Sequence, residues 1–430
     1  MLQDTYSLRA IRPLGCLPAN IARTLVLSLS MARAPLPTAD PAADAAALLR
    51  RIGFTILMLG LPAAALVARR AIVILAPLAI VLLVIAAAID GGSRPAREGL
   101  RRLTTSTAGL AGALALLWCA LSLIWTPFPA QASERLFNIA GSVVMAFAGY
   151  LALPDRMRSA NLYILPVGVG LAALLAIVLA LTGGDDESTQ NLERGLIVLA
   201  LLVWPAASWL RSRGRDLESV VLALVVALAA VLGPQLLPLQ GLAIGAIVFA
   251  IAAASPSMGA RLTAAVMAGL LILAPLLPFV LRPLAAGWLG TAHPVVASLD
   301  IWRSVIIDEP ARLITGHGFE TALRGRFVGL LAPDAPSTFL FEVWYELGLV
   351  GALAGAVALH RSTSRAGRDH PLLVPGTVAA FATAFTYACL GIGTAQMWWF
   401  TALVVTILMF VAIERGQFRT NRPKAILQRL

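Results

Sequence analysis

Two kinds of side chain in this sequence have the chemistry to act on an anionic or hydroxylic ligand. The first is His317, which sits in LITGHGF between two glycines that permit a tight backbone turn. A histidine so placed can serve as a general base, since imidazole titrates near working pH, and it can equally be a hydrogen-bonded structural residue. His293, beside Pro294, is a lesser candidate, and His360 and His370 read as loop residues. The second kind is arginine. Arg194 follows GGDDESTQNLE and immediately precedes the apolar run GLIVLALLVWP, so its guanidinium falls at a membrane surface. Guanidinium is always charged and matches phosphate oxygens in a bidentate fork, so one reading is a grip on a lipid-borne diphosphate. The other reading is an interfacial anchor paired to Asp185, Asp186 or Glu193. Arg282, Arg303 and Arg312 offer further anion contacts and share one long stretch with His317.

That stretch runs from Arg282 to Gly348 and is the one long segment between hydrophobic runs that is neither a short turn nor simply basic. Long ordered loops tend to be functional. Within it, ASLDIWRSVIIDEP predicts an amphipathic helix capped by Ser298 and closed by Pro310. A second helical piece is expected from Phe319 to Leu331, ahead of the breaker APDAPS.

The elements that position these residues are membrane spans. The 430-residue chain is 59% hydrophobic and 13% charged, against about 45–50% and about 25% for a soluble domain. The sequence therefore predicts an all-α polytopic membrane protein. About twelve spans of roughly twenty residues fit a hydrocarbon slab of about 30 Å. They fall near 53–68, 71–89, 105–125, 136–153, 162–182, 195–210, 217–233, 239–254, 262–281, 338–359, 371–392 and 395–413. GPQLLPLQG divides the pair at 217–254, its glycine and prolines breaking an over-long helix into a hairpin.

The organisation expected is a cytoplasmic tail over 1–52, nine spans over 53–281, a periplasmic loop over 282–337, three spans over 338–413 and a tail over 414–430. Met31 is an alternative start. With both termini inside, the inner segments hold most of the 33 Lys and Arg, as the positive-inside bias requires. Arg69 and Arg70 disagree, falling on the outer side of the first hairpin. The net charge of +11 has this topological cause and does not call for nucleic acid. Cys16, Cys119 and Cys389 are scattered and read as packing residues, with neither a disulfide framework nor a metal site. There is no P-loop, no HExxH and no GxSxG elbow. Glu342 and Glu346 are the ionisable residues that enter a span, which weakens an ion-coupled transporter.

Several pieces match one family. NLERGLIVLALLVWP is similar to an Asn-Arg-Gly segment that opens a span, LDIWRSVIIDEPARLITGHGF to an Ile-Trp helix followed by a proline and a Gly-x-Gly turn. FLFEVWYELGLVGAL and WTPFPAQASERLF look like the tenth span and the first outer loop. From about residue 53 the chain thus resembles the O-antigen ligase and Wzy-type polymerase superfamily of lipid-linked glycan enzymes. The resemblance implies transfer of a glycan from an undecaprenyl diphosphate carrier to an acceptor such as lipid A-core, in the periplasm, by a bacterial inner-membrane protein without cofactor or metal. It places Arg194 on the donor diphosphate, with Arg282, Arg303 and Arg312 as further contacts and His317 as the remaining base. Two positions depart from the family pattern: its arginine before Ile-Trp falls on Ser298, and its His-Asn pair on Ser337 and Thr338, with Pro336 kept. Two other functions fit the same residues: an exporter or flippase of a lipid-linked glycan, and a non-catalytic pseudo-ligase that binds the carrier lipid.

Overall fold

The structure, a computed structural model, describes residues 41–91, 94–157, 159–366, 370–392 and 396–417. Of the expected tails over 1–52 and 414–430, residues 1–40 and 418–430, with Cys16 and Met31, lie outside the described residues, while 41–52 belong to the first helix and the last helix runs on to Arg415.

Every regular element among the described residues is helical. In chain order these are α1 (Pro41–Thr55, continuing through a π-turn at Ile56–Gly60 and Leu61–Ala64), α2 (Ala71–Ile89), α3 (Arg94–Thr104), α4 (Thr107–Ser122), α5 (Pro129–Ala152) and α6 (Ser159–Leu162, resuming as Ile164–Thr182). Then follow α7 (Asp186–Ser212), α8 (Asp216–Leu232), α9 (Leu237–Ala254), α10 (Pro256–Leu273), α11 (Leu277–Leu289) and α12 (Pro294–Asp308). The last are α13 (Arg312–Thr315), α14 (Thr321–Val328), α15 (Phe339–Arg365), α16 (Val374–Leu390) and α17 (Met397–Arg415). Among the described residues nine helices are long and apolar enough to cross a membrane, or ten if the bent pair of α3 and α4 counts as one. The chain is a multi-pass membrane protein on that composition. The Gly233–Pro234 break falls where its residues require, between α8 and α9.

The central helix is α7, apolar on every face from Leu196 to Leu210, with 89% of its most apolar window buried by protein, against 33% for the more apolar α2, whose remaining surface lipid can cover. Around α7 pack α1, α6, α8, α9, α16 and α17 in one large core that includes Trp204, Trp209 and Tyr387. Small residues let the neighbours come close: a Cβ at Gly195 of α7 would strike Leu66, and one at Gly245 of α9 would strike Trp204 and Thr383. A second core gathers around α15, where Phe341, Trp344 and Tyr345 pack against Trp302 of α12 and neighbours in the segment from α11 to α14.

Polar ties join helix ends in two sets. At one end Arg213 donates to Gly416 O and Ser159 Oγ, Gln417 to Ser212 Oγ, and Arg50 pairs with Asp90. At the other, Asn191 donates to Val67 O and Thr126 to Phe319 O. The second end carries both candidate regions.

Candidate functional site

The first region is built on a broken helix. α15 is interrupted at Gly348, whose φ 62° and ψ −157° no residue with a Cβ adopts readily. A helix break leaves carbonyls without their usual donors, and three are satisfied from elsewhere. Tyr345 O accepts from His317 N at 2.8 Å, Glu346 O from Gly318 N at 3.0 Å, and Leu347 O from Trp118 Nε1 at 2.8 Å. The Gly-His-Gly turn is thus strapped onto the break by its own backbone. Gly316 and Gly318 have φ 73° and 102°, and a Cβ at Gly316 would meet Glu346 O. The expected tight turn at His317 is present.

Beside the strap lies a buried charge cluster that sequence reading missed. Arg135 of α5 donates Nη1 to Glu320 Oε2 at 2.8 Å and to Glu346 Oε1 at 3.2 Å, and its guanidinium stacks over the Phe319 ring at 4.5 Å. Ala322 N donates to Glu346 Oε1 at 3.2 Å and Arg324 Nε to Glu320 Oε1 at 3.3 Å. Arg135, Glu320, Glu342 and Glu346 are all under 9% exposed. Among the described residues Glu320 is the one non-glycine with positive φ, 71°, a conformation its charge partners hold in place. Nearby Arg326 donates to Pro336 O, and burial holds its guanidinium below the usual arginine range against the pull of Glu342 and Glu346.

His317 itself is held on every side. Its ring stacks on Tyr345 with centroids 4.0 Å apart, Nδ1 lies 3.0 Å from Tyr345 O, and Nε2 lies 3.2 Å from Glu309 Oε2. Both nitrogens face oxygens, so neither is open to a substrate hydroxyl in this arrangement. The cavity beside it, lined by Trp302, Glu309, Arg312 and Tyr345 among others, is about 20 Å³, room for about one water. Arg312 Nε lies 3.9 Å from Glu309, Arg282 pairs with Asp300 at 3.0 Å, and Arg303 stands 5.5 Å over Phe279. These three arginines are engaged separately and do not converge on one ligand space.

Local signals in this segment also need correction. The helix predicted from Ser298 starts at Pro294 and is capped by His293, whose Nδ1 accepts from Val295 N at 3.2 Å. Proline at the first helical position fixes that start. Ser298 lies inside α12 and donates to Asp334 O at 2.7 Å. The piece expected over Phe319–Leu331 is shorter, Thr321–Val328, because Phe319 and Glu320 belong to the strap. Thr338 caps α15, accepting from Phe341 N, and Ser337 is exposed.

The second region is the N-terminal end of α7. Asp185 caps this helix, accepting from Ser188 N at 3.0 Å, and that bond holds its carboxyl below the usual range. Nine residues on, Arg194 lines a cavity of about 330 Å³ together with Gln190, Glu193, Gln235, Gln396 and Trp398. Such a volume lies within the range of ligand pockets, roughly 300–1,000 Å³. Among the described residues Arg194 makes no hydrogen bond and no ion pair within 4.0 Å; its nearest charges are Glu193 and a second cation, Arg69. Of the anchor partners Asp185, Asp186 and Glu193, none lies within 4.0 Å of the guanidinium, and Glu193 is the one that acts on it electrostatically. Arg69, which broke the charge bias of the loops, is brought here by the tie between Asn191 and Val67. One guanidinium, three side-chain amides and an indole line the space with the Glu193 carboxylate, and Arg69 adds a second positive charge near Arg194 from outside the lining, a setting for an anion with an apolar attachment.

No protein-family model and no curated protein matches this chain.

Proposed function

We propose that this chain is an O-antigen ligase-like protein of the bacterial inner membrane that binds an undecaprenyl diphosphate-linked glycan with its diphosphate in the Arg194 cavity. The single observation that carries this is the uncommitted Arg194 guanidinium on a polar cavity of about 330 Å³. In this reading the chain crosses the membrane twelve times. The nine long apolar helices are joined by α4, by the 17-residue α8 and by the 17-residue α16. The arginine-rich ends, with Arg50, Arg211, Arg213 and Arg415, then face the cytoplasm and residues 282–337 lie on the periplasmic side. The reaction breaks the bond between the glycan's anomeric carbon and the carrier diphosphate. The acceptor hydroxyl, on a partner such as lipid A-core, supplies the new oxygen and loses its proton. Arg194, with Arg69 beside it, stabilises the charge that develops on the departing diphosphate. His317 takes the proton only if acceptor entry displaces Glu309 from Nε2.

The engagement of both His317 nitrogens favours a second reading, a pseudo-ligase that holds the carrier lipid without transfer. One preparation separates the two. Purified protein in nanodiscs is titrated with farnesyl diphosphate, with farnesyl monophosphate and farnesol for comparison. The proposal expects the diphosphate to bind best and Arg194→Ala to lose that binding; equal binding by Arg194→Ala removes the site. Proteoliposomes given lipid-linked donor and acceptor then yield product under the first reading and none under the second.

A further inference from the structure

The segment after α10 carries a surface that a water-exposed cap would not keep. Residues 256–289 form a single apolar helical run of 34 residues, about 50 Å long at 1.5 Å per residue, whereas the hydrocarbon slab is about 30 Å thick. The excess is α11. Leu276, which precedes it, and its residues Val280, Leu284 and Trp288 recur every fourth position and so lie along one face. Each is more than half exposed, Trp288 at 90%. The one charge on α11 confirms which face is which. Arg282 lies about 200° around the helix from Val280 at 100° per residue, and it pairs with Asp300 of α12. The covered face of α11 thus meets α12 through an ion pair, and the uncovered face is wholly apolar.

What covers that face is indicated by what precedes it. α10 exposes Met258, Leu262, Val266 and Leu270, again every fourth residue, as a helix against lipid does. The α11 stripe continues this surface through Ala274–Leu276 with no charged residue between. Tryptophan at the tip is the side chain enriched where lipid meets water. In water a stripe of this length would stand as an apolar patch beyond what soluble surfaces usually leave open.

We propose that α11 is seated in the outer leaflet, with the Leu276–Trp288 stripe against lipid, so that the α11–α12 hairpin is a monotopic element and not a cap standing in water. Gly290, with φ 86°, turns the chain back, so that α12 meets α11 through Asp300 on Arg282 and Arg303 over the Phe279 ring. This inference is independent of the diphosphate site.

The test places a cysteine at Leu284 and, separately, at Trp288 in the full chain, each labelled with an environment-sensitive nitrobenzoxadiazole. The protein is held in phosphatidylethanolamine–phosphatidylglycerol nanodiscs, and label taken up by the unsubstituted chain is subtracted. Lipids bearing a nitroxide on the acyl chain should quench both positions several-fold more than aqueous iodide does. Iodide quenching with little effect of the nitroxide lipids at both positions overturns the proposal in favour of a water-exposed cap. Protection from both quenchers, together with cross-linked dimers, overturns it in favour of a second copy of the chain. Two positions are used so that a misfolded Trp288→Cys leaves Leu284→Cys to decide.

Discussion

Arginine meets glutamate twice near one end of this helix bundle, and the two meetings have opposite characters. In the cluster beside α15, Arg135 is shared between Glu320 and Glu346, with the Phe319 ring beneath it. At the end of α7, Arg194 has Glu193 and Arg69 as neighbours, makes no bond to either and faces an open cavity. The space available follows the same division, about 20 Å³ beside His317 and about 330 Å³ beside Arg194. A buried charge with all its partners holds segments together, and a charge with none is available to a ligand. Residue type does not separate the two cases. Counting partners does.

Removing Arg135 should produce the largest effect. Arg135→Met leaves Glu320 and Glu346 buried without their shared cation, a change that costs about 3–5 kcal/mol when one partner of a buried pair is lost. Thermal unfolding in detergent should show a large drop, partly restored when Glu346→Gln is added. An unchanged transition would mean the cluster does not hold the strap, and the contrast with Arg194 would fail. Gly348→Ala comes next. Its backbone conformation is essentially confined to glycine, and the added Cβ would meet Ile314 O, so about 1–3 kcal/mol is expected. A loss of that size, with amide exchange quickening at residues 314–320, would show that the strap depends on the break.

Parts of this were readable in the chain and parts were not, for physical reasons. Apolar composition requires a membrane fold, the glycines around His317 require a turn, and Gly233 with Pro234 divides α8 from α9; each is a local property of a few residues. The charge cluster is not local. Arg135 lies 185 positions from Glu320 and 211 from Glu346, and no periodicity links them. A signal was present: WTPFPAQASERLF puts an arginine inside an apolar helix, and such a charge needs a partner. Arg69 was similarly visible as a breach of the loop charge bias, though its place beside Arg194 depends on segments 124 residues apart. The cap of α12 was misread because serine is the commoner capping residue, while His293 before Pro294 does the capping.

Arg194→Ala should behave unlike Arg135→Met in kind as well as size. Because the side chain makes no bond within the fold, its loss should leave the unfolding transition within about 0.5 kcal/mol of the parent. Binding of farnesyl diphosphate should weaken roughly 10- to 100-fold, the worth of a charge-assisted hydrogen bond of about 1.5–3 kcal/mol. Arg69→Ala should weaken it less, since Arg69 stands further from the lining. A large stability loss in Arg194→Ala would give this arginine a structural role and erase the distinction between the regions.

Ser298→Ala is the smallest change and tests whether the two regions are separable. The hydroxyl donates to Asp334 O at 2.7 Å, tying α12 to the segment before α15, and the bond is exposed. Water can replace the lost donor there, so the cost should be at the low end of a hydrogen bond, about 0.5–1 kcal/mol. Arg194 and its cavity lining touch neither residue, so farnesyl diphosphate should bind this variant as it binds the parent. If binding instead fell with the fold intact, the α12 segment would be coupled to the cavity. The open site and the packed one would then be two parts of a single device, with the strap at His317 as its moving element.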